Sequence, residues 1–262
     1  MARRNVKNDW NDAVESWADF VRCRKDYYRD ELNNPASFKL IGNIRGQLVL
    51  DLACGEGYNT RMLARKGAKA IGVDFSKEMI RVAEEEEAKE RLGICYRLLD
   101  ASQLKDLPNE HFDIVTCFMS LQDIENCQKA ISEVARVLKR HGRFIFSIPH
   151  PCFETIVVDD RRIGATRRYF KSVRYTVQWK SKRLLRPFKT TAFHRTLTDY
   201  SNALFRNKLL ISRIVEPIPT RKGLRKHCQL REVLMRPQSM IVECTKIHAR
   251  PRVPADTAHQ KV

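Results

Sequence analysis

The 262-residue sequence predicts an α/β protein: a seven-stranded, doubly wound, mostly parallel sheet, with an N-terminal helix and a cap inserted after the fifth strand. Three observations predict it. Short apolar runs alternate with helical stretches between Gln47 and Pro149, the pattern of a buried parallel sheet. The first run opens into a glycine turn, and acidic residues close the first three runs. The chain accordingly divides into a helical cap at 1–40, a ligand-binding core at 41–150, a basic and aromatic insertion at 151–192, a sheet-completing part at 193–248 and a flexible tail at 249–262.

Taken in order, Trp10, Val14, Trp17, Val21 and Tyr28 recur at helical spacing, so one amphipathic helix is expected over 10–32. Asn33-Asn34-Pro35 is expected to end it, because proline restrains the residue before it and lacks the amide for a helical hydrogen bond. Strands are predicted at 48–53, 70–74, 94–99, 112–118 and 143–148, with helices at 58–66, 76–92 and 126–140 between them. Beyond Pro149 the alternation stops. A helix at 196–208 and strands at 210–216 and 240–246 would complete the sheet as an antiparallel pair.

Composition narrows the function classes. No apolar run approaches the roughly 18 residues of a membrane span, and the polar start is no secretory signal, so a cytoplasmic protein is expected. Eight cysteines without a CxxC pair or finger-like spacing suggest reduced thiols and no metal site. The net charge of +18 is uneven: residues 1–150 carry 24 Lys+Arg and 23 Asp+Glu, whereas residues 151–262 carry 25 and 8. That asymmetry bears on partners more than on fold.

The chemistry concentrates in Val49–Gly57. Glycines at 55 and 57 allow a tight turn and close approach of a ligand, and the helix that follows offers free amides. A diphosphate site would want GxGxxG, but the third position is Thr60 and an acid, Asp51, closes the strand. An anion there suits a cationic ligand with an amino group and a sulfonium, which points to S-adenosylmethionine. Asp74, ending the second strand, would take the ribose hydroxyls; Phe75 would lie against the adenine; Asp100, ending the third, would take its amino group.

With these residues in view, the sequence resembles the class I, Rossmann-like, S-adenosylmethionine-dependent methyltransferases, and within them the type 11 group. The resemblance rests on Val49–Gly57, Gly72-Val73-Asp74-Phe75-Ser76, Asp100-Ala101, Phe112-Asp113-Ile114-Val115 and Arg136-Val137-Leu138-Lys139. It covers about residues 10–150 well and 192–246 more loosely. It implies the class I fold and methyl transfer that leaves S-adenosylhomocysteine. It places Asp51, Ala53, Gly55 and Gly57 around the methionine part, Asp74 at the ribose, and Phe75, Met79, Asp100 and Ala101 at the nucleoside. Phe118 and Met119 would border the transferring methyl group. Ala53 stands where many relatives have glycine, and His141-Gly142 replaces a paired glycine away from the cofactor.

Methyl transfer from a sulfonium is an in-line displacement, so positioning and exclusion of water can carry most of the catalysis. A base is needed only where the acceptor must first lose a proton. His150, in the turn after the fifth strand, is the first candidate for that role. His194 would return to the same mouth, and Tyr28, with Tyr27 beside it, would close the pocket from the N-terminal helix. Each of these residues also has a plain structural reading as a turn-fixing, capping or core side chain. A covalent mechanism through Cys152 has little support, because Cys117-Phe118-Met119-Ser120 lacks the Pro-Cys that some pyrimidine-C5 RNA methyltransferases use after the fourth strand.

The insertion interleaves eleven Lys+Arg between 155 and 190 with Tyr169, Phe170, Tyr175, Trp179 and Phe188. Cations track phosphates and rings stack on bases, so RNA is one acceptor class that this composition fits. Type 11 relatives commonly carry a cap over a small-molecule pocket, and this reading, with an acceptor that includes anionic metabolites, is preferred. A protein that binds the cofactor without turnover is the third alternative.

Overall fold

The computed structural model describes residues 5–158, 161–164 and 169–247, with no side-chain detail for 155–158 or 161–164. Seven strands form one sheet: β1 (Leu48–Leu52), β2 (Lys69–Asp74), β3 (Cys95–Leu98), β4 (Phe112–Phe118), β5 (Leu138–Pro149), β10 (Leu209–Val215) and β11 (Ser239–Lys246). Their order across the sheet is β10-β11-β5-β4-β1-β2-β3. β1 to β5 run parallel, whereas β11 pairs antiparallel with both β5 and β10. The order reverses at β1, so β1 and β4 diverge at a switch point where open α/β sheets bind ligands.

Strand side chains alternate between two buried faces, as a doubly covered sheet requires. Leu50, Leu52, Phe112, Phe144 and Phe146 enter one core with α5 (Cys127–Val137) and α6 (Leu197–Arg206). Val49, Ile114, Ile145 and Ile241 enter the other, with Phe38 and Ile41 of α2 (Asn34–Ile41) and Leu63 of α3 (Tyr58–Arg65). Each side chain of this size, fully buried, stabilises the fold by about 1.5–3 kcal/mol. Ser76 caps α4 (Lys77–Glu90) by accepting the Met79 amide at 3.2 Å. The Arg136 guanidinium of the RVLK motif donates to the Leu104 and Leu107 carbonyls and pins the loop before β4.

Several boundaries differ from the sequence reading. The N-terminal region is not one helix ending at Pro35. Helix α1 (Val6–Arg22) stops early, a wide turn spans Arg29–Asn33, and Pro35 lies in the first turn of α2. A proline costs nothing there, since a first-turn amide has no helical partner. The fifth strand starts at Leu138, directly after α5, and so absorbs residues expected to be helical. Between β10 and β11, a short helix α7 (Arg221–Lys226) and the turn Cys228–Leu234 escaped the sequence pattern.

The insertion, aperiodic in sequence, folds as two hairpins. One pairs β6 (Thr155–Val158) with β7 (Arg161–Gly164), and the other pairs β8 (Val173–Trp179) with β9 (Phe188–His194). The second packs on α1: Trp17 meets Trp179 edge-on at 5.4 Å, Trp179 stacks on Phe188, and Thr191 donates to Asp9. Lys171, Lys180, Lys182, Arg186 and Lys189 are exposed. The solvated basic face expected of a cap is thus present, while Asp159, Asp160, Arg167, Arg168 and the expected tail at 249–262 lie outside the described residues. Among the described residues, no helix is long and apolar enough to cross a membrane.

Candidate active site

The carboxyl ends of β1 to β5 open into a cavity of about 1420 Å³, roofed by α1, the turn after it and the β8–β9 hairpin. This exceeds the roughly 300–1,000 Å³ of a typical small-ligand pocket, so two ligands can share it. Ten of the eleven residues expected to hold the cofactor line it: Asp51, Ala53, Gly55, Asp74, Phe75, Met79, Asp100, Ala101, Phe118 and Met119. Tyr28 lines it as well.

The β1 turn explains the local sequence. Ala53, Gly55 and Gly57 all adopt positive φ, +53°, +56° and +81°. Gly57 is the exception to the predicted lining. Its role is conformational: a Cβ there would lie 2.4 Å from the Tyr96 hydroxyl. The turn then delivers the Gly55 amide to Asp74, which accepts it at 2.9 Å on one oxygen and the Ser76 amide at 2.9 Å on the other. Asp51 accepts the hydroxyls of Thr60 (2.6 Å) and Thr116 (2.8 Å). Thr60, standing where a dinucleotide motif would have its third glycine, therefore orients the strand-terminal acid. Asp100 accepts the amide and hydroxyl of Ser102, both at 2.7 Å.

Burial dominates the electrostatics. It pushes Asp51 up to about 7 and Asp74 up to about 6, against the hydrogen bonds that favour their ionised forms. Such carboxyls await a cation. Burial also pushes the Cys54 thiol well above its usual range, helped by Asp74 and Asp51, so it is no nucleophile at neutral pH. The donor set fits S-adenosylmethionine: carboxyls at three successive strand ends suit an ammonium, a sulfonium and an unphosphorylated nucleoside, and would repel a diphosphate.

The predicted catalytic histidines lie elsewhere. Neither lines the cavity. His150 lies 3.1 Å from Glu216 through Nε2 and accepts the Cys152 amide at 3.2 Å on Nδ1, so it fixes the proline-rich turn. His194 spends its two ring nitrogens on Glu154 (3.2 Å) and the Tyr169 carbonyl (3.0 Å). Tyr27 stacks on His227 outside the lining, whereas burial pushes the Tyr28 hydroxyl up to about 12. Cys152 and Cys117 are also absent from the lining, which leaves a covalent cysteine route without geometry. Among the described residues no cluster of His, Cys, Asp and Glu could hold a metal.

Sequence reasoning missed Trp17, Glu56, Asp123 and Glu154, all of which line the cavity. Glu56 sits inside the glycine motif and was legible there. The other three come from segments whose placement only the fold determines.

Fold and site define the class: a class I enzyme that transfers a methyl group from S-adenosylmethionine. Residues 50–146 match the family model described as a methyltransferase domain. A crystal structure of an S-adenosylmethionine-dependent methyltransferase from Mesorhizobium loti has a TM-score of 0.66 and 27% identity, covering 80% of this chain and 96% of that one. A protein of Haemophilus influenzae of uncharacterised function is 26% identical over 227 residues, 82% of this chain and 87% of that protein. A ubiquinone biosynthesis O-methyltransferase of Alkalilimnicola ehrlichii is 33% identical over 150 residues, 55% of this chain, and the match spans 61% of that enzyme's length. The chain is an S-adenosylmethionine-dependent methyltransferase with the type 11 methyltransferase domain at its centre.

Proposed function

We propose that the enzyme methylates a small-molecule acceptor inside the capped cavity. The observation that carries this reading is the roof. The β8–β9 hairpin turns Tyr175, Val177 and Trp179 inward with Thr190 and Ala192, while lysines of the insertion face solvent. A chamber walled by rings and closed by α1 suits a compact acceptor better than a polymer, and the ubiquinone-pathway relative acts, by its name, on a small molecule. Of the basic residues of the cap, Lys171, Lys180, Lys182, Arg186 and Lys189 are exposed and do not line the chamber, so they form no continuous track with these rings along which a phosphate backbone could lie.

Within this reading Asp51, Ala53 and Gly55 take the methionine part, Asp74 the ribose, Phe75, Met79, Asp100 and Ala101 the adenine, and Phe118 and Met119 the methyl end. The domain division is proposed on the same basis: 41–150 holds the cofactor, while 1–40 and 151–192 close over the acceptor. S-adenosylmethionine supplies an electrophilic methyl group and a neutral thioether leaving group. The protein's part is to hold the acceptor in line and exclude water.

Incubation with methyl-labelled cofactor and a cell extract tests the reading. Label is expected in small molecules that pass a membrane retaining protein and nucleic acid. Label confined to the retained fraction would overturn it.

A further inference from the structure

The cavity has two chemically different sides. Asp51 near the end of β1, Asp74 at the end of β2 and Asp100 two residues past β3 line one side, and this side fits the cofactor. The other side, beyond β4 and β5, is left for the acceptor, and it gathers two acids and an amide. Asp123 stands in the turn after β4 and Glu154 just after β5; both line the cavity. Glu154 is fixed from behind by His194 Nδ1 at 3.2 Å, and its side chain is only 9% exposed.

Gln122 adds an independent observation. It borders the cavity and is 8% exposed, yet its Oε1 has no hydrogen-bond partner. The amide orientation is fixed, because Nε2 donates to the Met119 carbonyl at 2.5 Å and lies 3.5 Å from Asp123 Oδ2; a flip would set oxygen against oxygen. A buried acceptor of this kind is costly until a donor arrives.

The walls suit a cation too. Trp17, Tyr175 and Trp179 present rings to the chamber, and ring faces attract ammonium groups. Arg174 also lines the chamber, but its guanidinium is set over the Phe193 ring. Two carboxyls and an orphan carbonyl among rings disfavour an anion and ask for N–H donors.

Resting on the small-molecule reading above, we infer that the β4–β5 side of the cavity is an amine-recognition subsite, in which Asp123, Glu154 and Gln122 Oε1 receive the N–H groups of a protonated amine carried on an aromatic or apolar body. The anionic metabolite suggested by the chain's overall charge is replaced by a cation, because the exposed Lys171, Lys180, Lys182, Arg186 and Lys189 stand outside the cavity and Arg174, which lines it, sets its guanidinium over the Phe193 ring.

Calorimetry on the full chain tests this with benzylamine and benzoate as probes, each titrated at pH 7 into protein saturated with S-adenosylhomocysteine. Benzylamine is expected to bind at least about tenfold more tightly than benzoate. Glu154→Gln and Asp123→Asn should each remove most of that preference while leaving affinity for S-adenosylhomocysteine within about twofold, which also shows that the variants fold. Absence of benzylamine binding, equal binding of benzoate, or an unchanged preference in both variants would overturn the subsite. Failure of S-adenosylhomocysteine itself to bind would instead sink the cofactor assignment, and methyl label found only in polymer would sink the small-molecule reading.

Discussion

The indole Nε1 of Trp17 donates to Oε2 of Glu56 at 3.1 Å, tying the N-terminal helix to the glycine turn of the cofactor side. Glu56 is buried, and its other oxygen accepts the Tyr58 amide. Trp17 also meets Trp179 of the cap, so one side chain joins roof, lid hairpin and cofactor turn. Trp17→Phe keeps most of the ring and deletes the donor. It should weaken S-adenosylmethionine binding by about 1–3 kcal/mol, the cost of stranding a buried acceptor. Calorimetry checks this, and an unchanged affinity would detach α1 from the site.

Asp74 serves two functions at once. It receives the amides of Gly55 and Ser76 and faces the cavity where the ribose is proposed to lie. Asp74→Ala should therefore lower cofactor affinity by at least about 1–3 kcal/mol and loosen the turn. Binding equal to the parent protein would remove Asp74 from the cofactor site.

Gly57 is constrained by conformation and by space. At φ +81°, with Tyr96 Oη 2.4 Å from where a Cβ would sit, Gly57→Ala should destabilise the fold by about 1–3 kcal/mol. Adding Tyr96→Phe should restore part of the loss, since it removes the clashing oxygen and leaves the backbone strain. Thermal unfolding of the single and double variants reads this out; equal melting temperatures for parent and Gly57→Ala would refute it.

These residues show what the sequence could and could not reveal. Asp51, Asp74 and Asp100 could be placed on one cavity because each stands at or just past the end of a strand, and parallel neighbours share one edge. Met79 was legible because Ser76 announces the helix start. The histidines show chemistry that is visible in sequence and orientation that is not: His150 follows β5 and His194 closes β9 of the cap, and their rings hydrogen-bond with the acids Glu216 and Glu154. Asp123 and Glu154 were passed over for the converse reason. Each is an ordinary loop acid until β4 and β5 lie side by side. The cap hairpin escaped detection because Lys180 to Pro187 forms a long connection, which hides the two-residue period of Tyr175-Val177-Trp179.

The raised carboxyls of Asp51 and Asp74 predict opposite pH trends for the free and the liganded protein. Each has a folded value, about 7 and about 6, above its ordinary 3.8. The stability they contribute is fully present below about pH 3.8 and lost as pH rises through about 6 to 7, because the buried carboxyls must then ionise. A cationic cofactor favours the ionised forms. Between pH 6 and pH 8 the melting temperature gained on adding S-adenosylmethionine should grow, with affinity rising up to about tenfold per pH unit below the Asp51 value. A gain that shrinks over this range would contradict a cation held by these acids.

His150 separates a catalytic histidine from a structural one. Its ring joins the turn after β5 to Glu216 after β10, and its own amide donates to the Gln238 carbonyl. His150→Gln keeps a polar side chain but loses the ring geometry, so about 1 kcal/mol of stability should be lost for each hydrogen bond that is not recovered. Cofactor affinity should stay within about twofold of the parent, since His150 does not line the cavity and hydrogen-bonds to none of the residues proposed to hold the cofactor. Turnover per folded molecule should also persist once an acceptor is in hand. A loss of turnover of a hundredfold or more, on the scale of removing a general base, with melting temperature and cofactor affinity unchanged, would return His150 to the reaction.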